Sequence, residues 1–152
     1  MLKKILVTAG VIILLSGCAS KKKNEIESEA LDLLNTEMEK QSIDKVYFGF
    51  DRSDLSELDI ETLKKQSEWI QKHPNIQIEI EGHCDARGTR EYNLALGERR
   101  AHSVKKYLVQ TAGLNTEKIG TISYGKERPA QLGESAEADA LNRRAVTVVV
   151  SK

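Results

Sequence analysis

The stretch from Ile76 to Gln110 constrains the fold more than any other, because its hydrophobic period changes part-way along. Ile76-Gln77-Ile78-Glu79-Ile80-Glu81 alternates apolar and polar residues strictly, which is the pattern of a strand with one buried face. From Asn93 to Gln110 the apolar positions recur at helical spacing instead. At about 100° per residue, Leu94, Gly97, Ala101, Val104 and Leu108 fall in one narrow stripe, and Gly113 stops the helix. A strand, a loop over Gly82 to Tyr92 and a long helix predict helix packed on sheet. The flanking segments extend that unit. Val46-Tyr47-Phe48-Gly49-Phe50 reads as a strand. Ser53 or Ser56 caps a helix running to about Lys72, with Leu58, Leu63, Trp69 and Ile70 as core and His73-Pro74 as its end. Ile119 to Tyr124 and Arg143 to Val150 read as further strands, with a short turn of helix before Asn142. The order β-α-β-α-β-β predicts an α+β fold, its helices packed on one face of a mixed four-stranded sheet.

The N-terminus is of another kind. Met1-Leu2-Lys3-Lys4 is short and basic, Ile5 to Leu15 is almost wholly apolar, and Ser16-Gly17-Cys18 follows. This is the plan of a secretory signal, and the apolar run is shorter than the about 20 residues a bilayer span needs. Leucine, two small residues and a cysteine resemble the bacterial lipobox. That resemblance implies cleavage after residue 17, acylation of Cys18, and, with Ala19 and Ser20 next, sorting to the outer membrane. Two or more acyl chains hold a protein stably, at about 0.8 kcal/mol per buried methylene. The chain thus divides into a signal peptide at 1–17, an anchor and flexible or partly helical tether at 18–44, and a folded domain at 45–152. Within the tether, Ile26, Ala30, Leu33, Leu34 and Met38 lie at helical spacing, a thin stripe that predicts a marginal helix.

Composition narrows the function. Lys and Arg together number 23, as do Asp and Glu. Loss of Lys3 and Lys4 with the signal leaves the mature chain slightly acidic, so the basic footprint of a nucleic-acid binder is absent. Two cysteines occur; with Cys18 acylated, Cys84 has no intrachain partner and a disulfide framework is not expected.

The candidate site lies where strand passes into helix: Glu81-Gly82-His83-Cys84-Asp85-Ala86-Arg87-Gly88-Thr89, then Asn93-Leu94-Ala95-Leu96-Gly97-Glu98-Arg99-Arg100-Ala101. Helical phase puts Asn93, Leu96 and Arg100 on one flank of the apolar stripe and turns Arg99 to solvent. Gly97, inside the stripe, costs about 1 kcal/mol of helix propensity, which close packing against a strand would explain. A loop carboxylate at Asp85 and a guanidinium at Arg100 make a site with both signs of charge. It suits a zwitterion, since Asp accepts from an ammonium and Arg grips a carboxylate with two parallel N–H donors. Spacing alone favours a plain structural Asp85–Arg100 ion pair over a ligand site.

Val46-Tyr47-Phe48-Gly49-Phe50-Asp51, Glu81-Gly82-His83-x-Asp85-x-Arg87-Gly88-Thr89, Tyr92-Asn93, Leu96 to Ala101, Ser123-Tyr124-Gly125 and Asn142 to Val146 together resemble, in order and spacing, the peptidoglycan-associated lipoproteins of the OmpA-like family. The resemblance covers residues 45–150. It implies an OmpA-like domain that binds the diaminopimelate residue of the peptidoglycan stem peptide, with no cofactor. Asp85 would take the ammonium and Arg100 the carboxylate, Phe50 and Asp51 would line the site, and Arg87, Thr89, Asn93 and Leu96 would complete it. It also implies the β-propeller protein TolB as partner and a place in the Tol–Pal system acting at cell division. Cys84 departs from the family, which usually has Ala or Thr there.

Other readings are weaker. His83, Cys84 and Asp85 are metal-ligand types, but three consecutive residues rarely converge on one ion. No nucleophile with its base, and no second working carboxylate, points to a hydrolase, so the chain reads as a binding protein rather than an enzyme. A purely structural envelope lipoprotein without stem-peptide recognition is the remaining alternative.

Overall fold

The computed structural model describes residues 16–152, with side chains from Lys21 onward. The signal-peptide expectation at 1–17 and the acylation expected at Cys18 lie outside the described side chains. The elements are α1 (Ser16–Lys40), β1 (Lys45–Tyr47), α2 (Glu57–Lys72), β2 (Gln77–His83), α3 (Arg90–Gln110), a 3-10 turn (Thr116–Lys118), β3 (Ile119–Gly125), α4 (Ala136–Asn142) and β4 (Arg144–Ser151). The sheet order is β1-β4-β2-β3, with β2 and β3 parallel and β4 antiparallel to both β1 and β2. This is the mixed four-stranded α+β arrangement, with α1 added in front and α4 between β3 and β4.

Local chemistry sets the helix starts. Ser56 caps α2 in a reciprocal box with Asp59, a device worth about 1 kcal/mol. Thr89 caps α3 by accepting from Tyr92 N, so α3 begins three residues before Asn93. The β2 alternation buries Ile78 and Ile80, and pairing with β3 and β4 carries the strand on to His83. Three expectations fail. β1 stops at Tyr47: Phe48 N still bonds Arg143 O in register with β4, but Gly49 and Phe50 lie beyond the ladder. Leu58 is 73% exposed rather than core, sitting on the outer side of the first turn of α2. The packed core also starts before Lys45, since Met38 and Ile43 are buried in it.

That last difference comes from α1. β1 pairs β4 only over Arg144 to Val146, which leaves the remainder of that β4 edge open. The Asn35 side chain closes it like a short strand: Val149 N donates to Asn35 Oδ1 at 2.8 Å, and Asn35 Nδ2 donates to Val149 O at 3.1 Å. Trp69 Nε1 donates to Glu37, and Met38 fills the space below. A covered edge no longer offers itself to other chains. Among the described residues, no helix is long and apolar enough to cross a membrane.

The close approach that shapes the site is between α3 and β2. A Cβ on Gly82 would lie 1.8 Å from Gly97 O, and one on Gly97 would lie 2.2 Å from Ser123 Oγ and 2.9 Å from Gly82 O. Backbone therefore packs on backbone, and Arg100, one turn beyond Gly97, is carried under the end of β2.

Candidate functional site

A cavity of about 150 Å³ opens at the C-terminal end of β2 and the start of α3. Phe50, Asp51, Cys84, Asp85, Arg87, Gly88, Tyr92, Asn93, Leu96 and Arg100 line it. Seven of the eight binding residues expected from the sequence meet here. The eighth, Thr89, does not: its hydroxyl is the α3 cap, and its carbonyl holds Asn93 Nδ2 at 3.0 Å.

Arg100 forms the floor. It is fully buried at 0% exposure, whereas Arg99 is exposed, as helical phase requires. Its partners are backbone carbonyls: Nε to Arg52 O at 2.9 Å, Nη1 to His83 O at 2.7 Å and Nη2 to Gly49 O at 3.1 Å. Three carbonyls from two chain segments thus fix the plane of the guanidinium. A guanidinium has about five N–H donors, so about two remain for a ligand. No ion pair within 4.0 Å involves Arg100 among the described residues. Burial works against its charge, and the nearby Asp85 carboxylate offsets part of that effect. A buried cation held by neutral dipoles is costly without an anion and marks a place where one would be welcome.

Asp85, 4% exposed, does not pair with Arg100, so the simple ion pair that spacing favoured is not what forms. Its carboxylate is taken by Arg87 and Arg143. Oδ1 accepts from Arg87 N and Arg87 Nε, each at 3.2 Å. Oδ2 accepts from Arg87 Nη2 at 2.5 Å and Arg143 Nη1 at 3.4 Å. Burial pushes the carboxyl up, but the Arg87 and Arg143 hydrogen bonds outweigh it and hold Asp85 below the usual carboxylate range. Arg87 also lies over the Phe50 ring, 4.0 Å from its centroid, and reaches Asp139 at 3.4 Å.

The walls are equally fixed. Asn93 spends both amide hydrogens on Arg87 O and Thr89 O, which leaves its Oδ1 as an acceptor. Asp51 sits at φ 56°, in the left-handed region that Asp tolerates better than most residues, and accepts from Tyr92 Oη. Cys84 Sγ donates to Asn93 O at 3.3 Å. Burial raises its pKa, with Arg100 pulling part of the way back. The thiol therefore stays protonated, as an inert buried cysteine does.

The cavity thus has a floor made by the buried Arg100 and a wall that carries Asp85 and Asp51. Comparisons with known proteins identify the family. The model of the OmpA family matches residues 47–143. A curated peptidoglycan-associated lipoprotein of Pasteurella multocida (strain Pm70) is 38% identical over 145 residues, covering 95% of this chain and 96% of its own. The chain belongs to the peptidoglycan-associated lipoproteins of the OmpA family. Another such protein, from Brucella melitensis biotype 1, is 42% identical over 142 residues, covering 88% of this chain and 84% of its own. The crystal structure of the peptidoglycan-associated lipoprotein from Burkholderia pseudomallei superposes with a TM-score of 0.67 at 37% identity, over 70% of this chain and 90% of that one.

Within this OmpA-family site, sequence reasoning passed over Tyr92 and Arg143. Both lie in motifs quoted for the resemblance, but neither was given a role. Helical phase sets Tyr92 beside Arg99 rather than with Asn93, Leu96 and Arg100, so α3 alone does not mark it; its tie to the site is the bond to Asp51, 41 positions away. Arg143 is equally hidden, because its contact with Asp85 joins positions 58 apart in the chain.

Proposed function

We propose that this chain is an outer-membrane lipoprotein, anchored through Cys18 after loss of residues 1–17. Its periplasmic domain grips peptidoglycan non-covalently through the diaminopimelate of the stem peptide. The side-chain end of that residue carries an ammonium and a carboxylate. The carboxylate goes to the free N–H donors of Arg100, and the ammonium to Asp85 with Asn93 Oδ1. Phe50, Leu96 and Tyr92 enclose the aliphatic part. The observation that carries the reading is Arg100: fully buried, clamped by three carbonyls and without a carboxylate partner in an open cavity. Family membership supports the wider role, a link between outer membrane and wall within the Tol–Pal system, with TolB as partner. We read the site as one that binds: among the described residues, the Cys84 thiol beside it has its pKa raised by burial and its Sγ donates to Asn93 O.

The test is retention on isolated peptidoglycan sacculi. Wild type should bind reversibly and be displaced by free diaminopimelate, and Asp85→Ala should bind far less. Binding that ignores both competitor and substitution favours the alternative, an envelope lipoprotein with no stem-peptide recognition. Intact-mass analysis showing no acyl mass on Cys18 would refute the anchor.

A further inference from the structure

Arg87 occupies the place that a ligand ammonium would need. An ionised carboxylate offers about four acceptor positions, and Asp85 has four donors on it, three of them from Arg87. The acceptor positions of Asp85 are therefore all taken by internal donors. Of the donors, Arg143 is the fixed one: its Nε is tied to Phe48 O at 2.9 Å and its side chain is only 16% exposed. The Arg87 side chain is 49% exposed and is otherwise held only by the Phe50 ring and by Asp139 at 3.4 Å. It is the group that can leave.

Resting on the peptidoglycan reading above, we infer that Arg87 is an exchangeable internal cation that makes the site selective for a group bearing both an ammonium and a carboxylate. An ammonium that reaches Asp85 evicts the Arg87 guanidinium. A ligand with only an ammonium breaks one charge pair to form another and gains little. A ligand with a carboxylate beside the ammonium gives the evicted guanidinium a new partner, shared with the free donors of Arg100. One internal pair is then replaced by two pairs with the ligand. Arg100 alone would favour the carboxylate, and Arg87 adds a penalty against any ligand that lacks it.

The experiment titrates the full-length chain in detergent micelles, by calorimetry, with two stem peptides. They differ only in bearing diaminopimelate or lysine at the same position, so one lacks the carboxylate. Wild type should prefer the diaminopimelate peptide strongly. Arg87→Gln removes the internal cation at a half-exposed position. It should bind the lysine peptide about threefold more tightly or better, the scale of an ion pair partly open to water. It should bind the diaminopimelate peptide no more tightly than wild type does, so that the preference shrinks. Arg87→Lys, with a charge but no planar fork, should fall between. Thermal melts confirm that each variant is folded. A lysine peptide bound no better by Arg87→Gln than by wild type, with diaminopimelate binding intact, overturns the exchange. A wild type that binds neither peptide overturns the peptidoglycan reading and the exchange with it, and the two failures are thus distinct.

Discussion

Replacing Gly97 by alanine sets helix propensity against packing. In an open helix the change should stabilise by about 1 kcal/mol, because glycine is the poorer helix former. Here the new Cβ would stand 2.2 Å from Ser123 Oγ and 2.9 Å from Gly82 O, where ordinary contact lies at 3.4–4 Å. The hydroxyl can rotate aside, but the carbonyl cannot, because Gly82 is in the ladder with Ala145 and Ser123. Overpacking of this kind costs typically about 1–3 kcal/mol, and a backbone contact belongs at the upper end. Packing should win, leaving Gly97→Ala less stable by about 1–2 kcal/mol. For a chain of this size that is a fall in Tm of roughly 3–8 °C. Gly82→Ala should be worse, because its Cβ would lie 1.8 Å from Gly97 O with no helix propensity in return. Adding Ser123→Ala to Gly97→Ala should recover part of the loss, read as a coupling in a double-mutant cycle. Since Arg100 reaches His83 O only while α3 stays close to β2, peptide binding should weaken along with stability. Denaturant unfolding checks the order. A Gly97→Ala chain as stable as wild type, or more so, would refute the claim that the two backbones touch.

Other expectations follow from the same geometry. Arg100→Ala should lose about 10- to 150-fold in stem-peptide affinity, the worth of a hydrogen bond to a charged group. Arg99→Ala should bind nearly as wild type in the same titration, and equal losses would sink the helical-phase argument. Arg100→Lys should not restore binding, since an ammonium cannot span the carbonyls of Arg52, His83 and Gly49 in one plane. Cys84→Ala should fold and bind normally at a cost of about 1–2 kcal/mol; a larger loss in denaturant unfolding would show a role for the thiol beyond packing. Asp85 has a depressed folded-state pKa, so its contribution to stability is present above its unfolded value of about 4 and is lost as pH falls through the folded one. Asp85→Asn should remove that part of the acid sensitivity in melts taken from neutral pH downward.

Much of this protein was legible in the chain itself, because the signals involved are local. The alternation at Ile76 to Glu81 needs only neighbours to read as a strand, and the stripe from Gly97 to Leu108 needs only the helical angle. That same angle separates Arg100 from Arg99, and a glycine inside an apolar stripe announces a close approach before any partner is known. Tertiary structure decided what depends on which distant atoms meet. Asp85 and Arg100 share a cavity yet do not pair. The Gly49, Arg52 and His83 carbonyls, two of them about 50 positions away, reach Arg100, while Arg143, 58 positions on, joins the neighbouring Arg87 at Asp85. The Met38 end of α1 enters the core for a similar reason: the shortness of β1 leaves a stretch of β4 edge that Asn35 happens to fit. Period and propensity repeat along a chain and can be counted there. The choice among several like-charged partners for one carboxylate turns on a few ångströms of separation across the fold, and only the packed chain sets those distances.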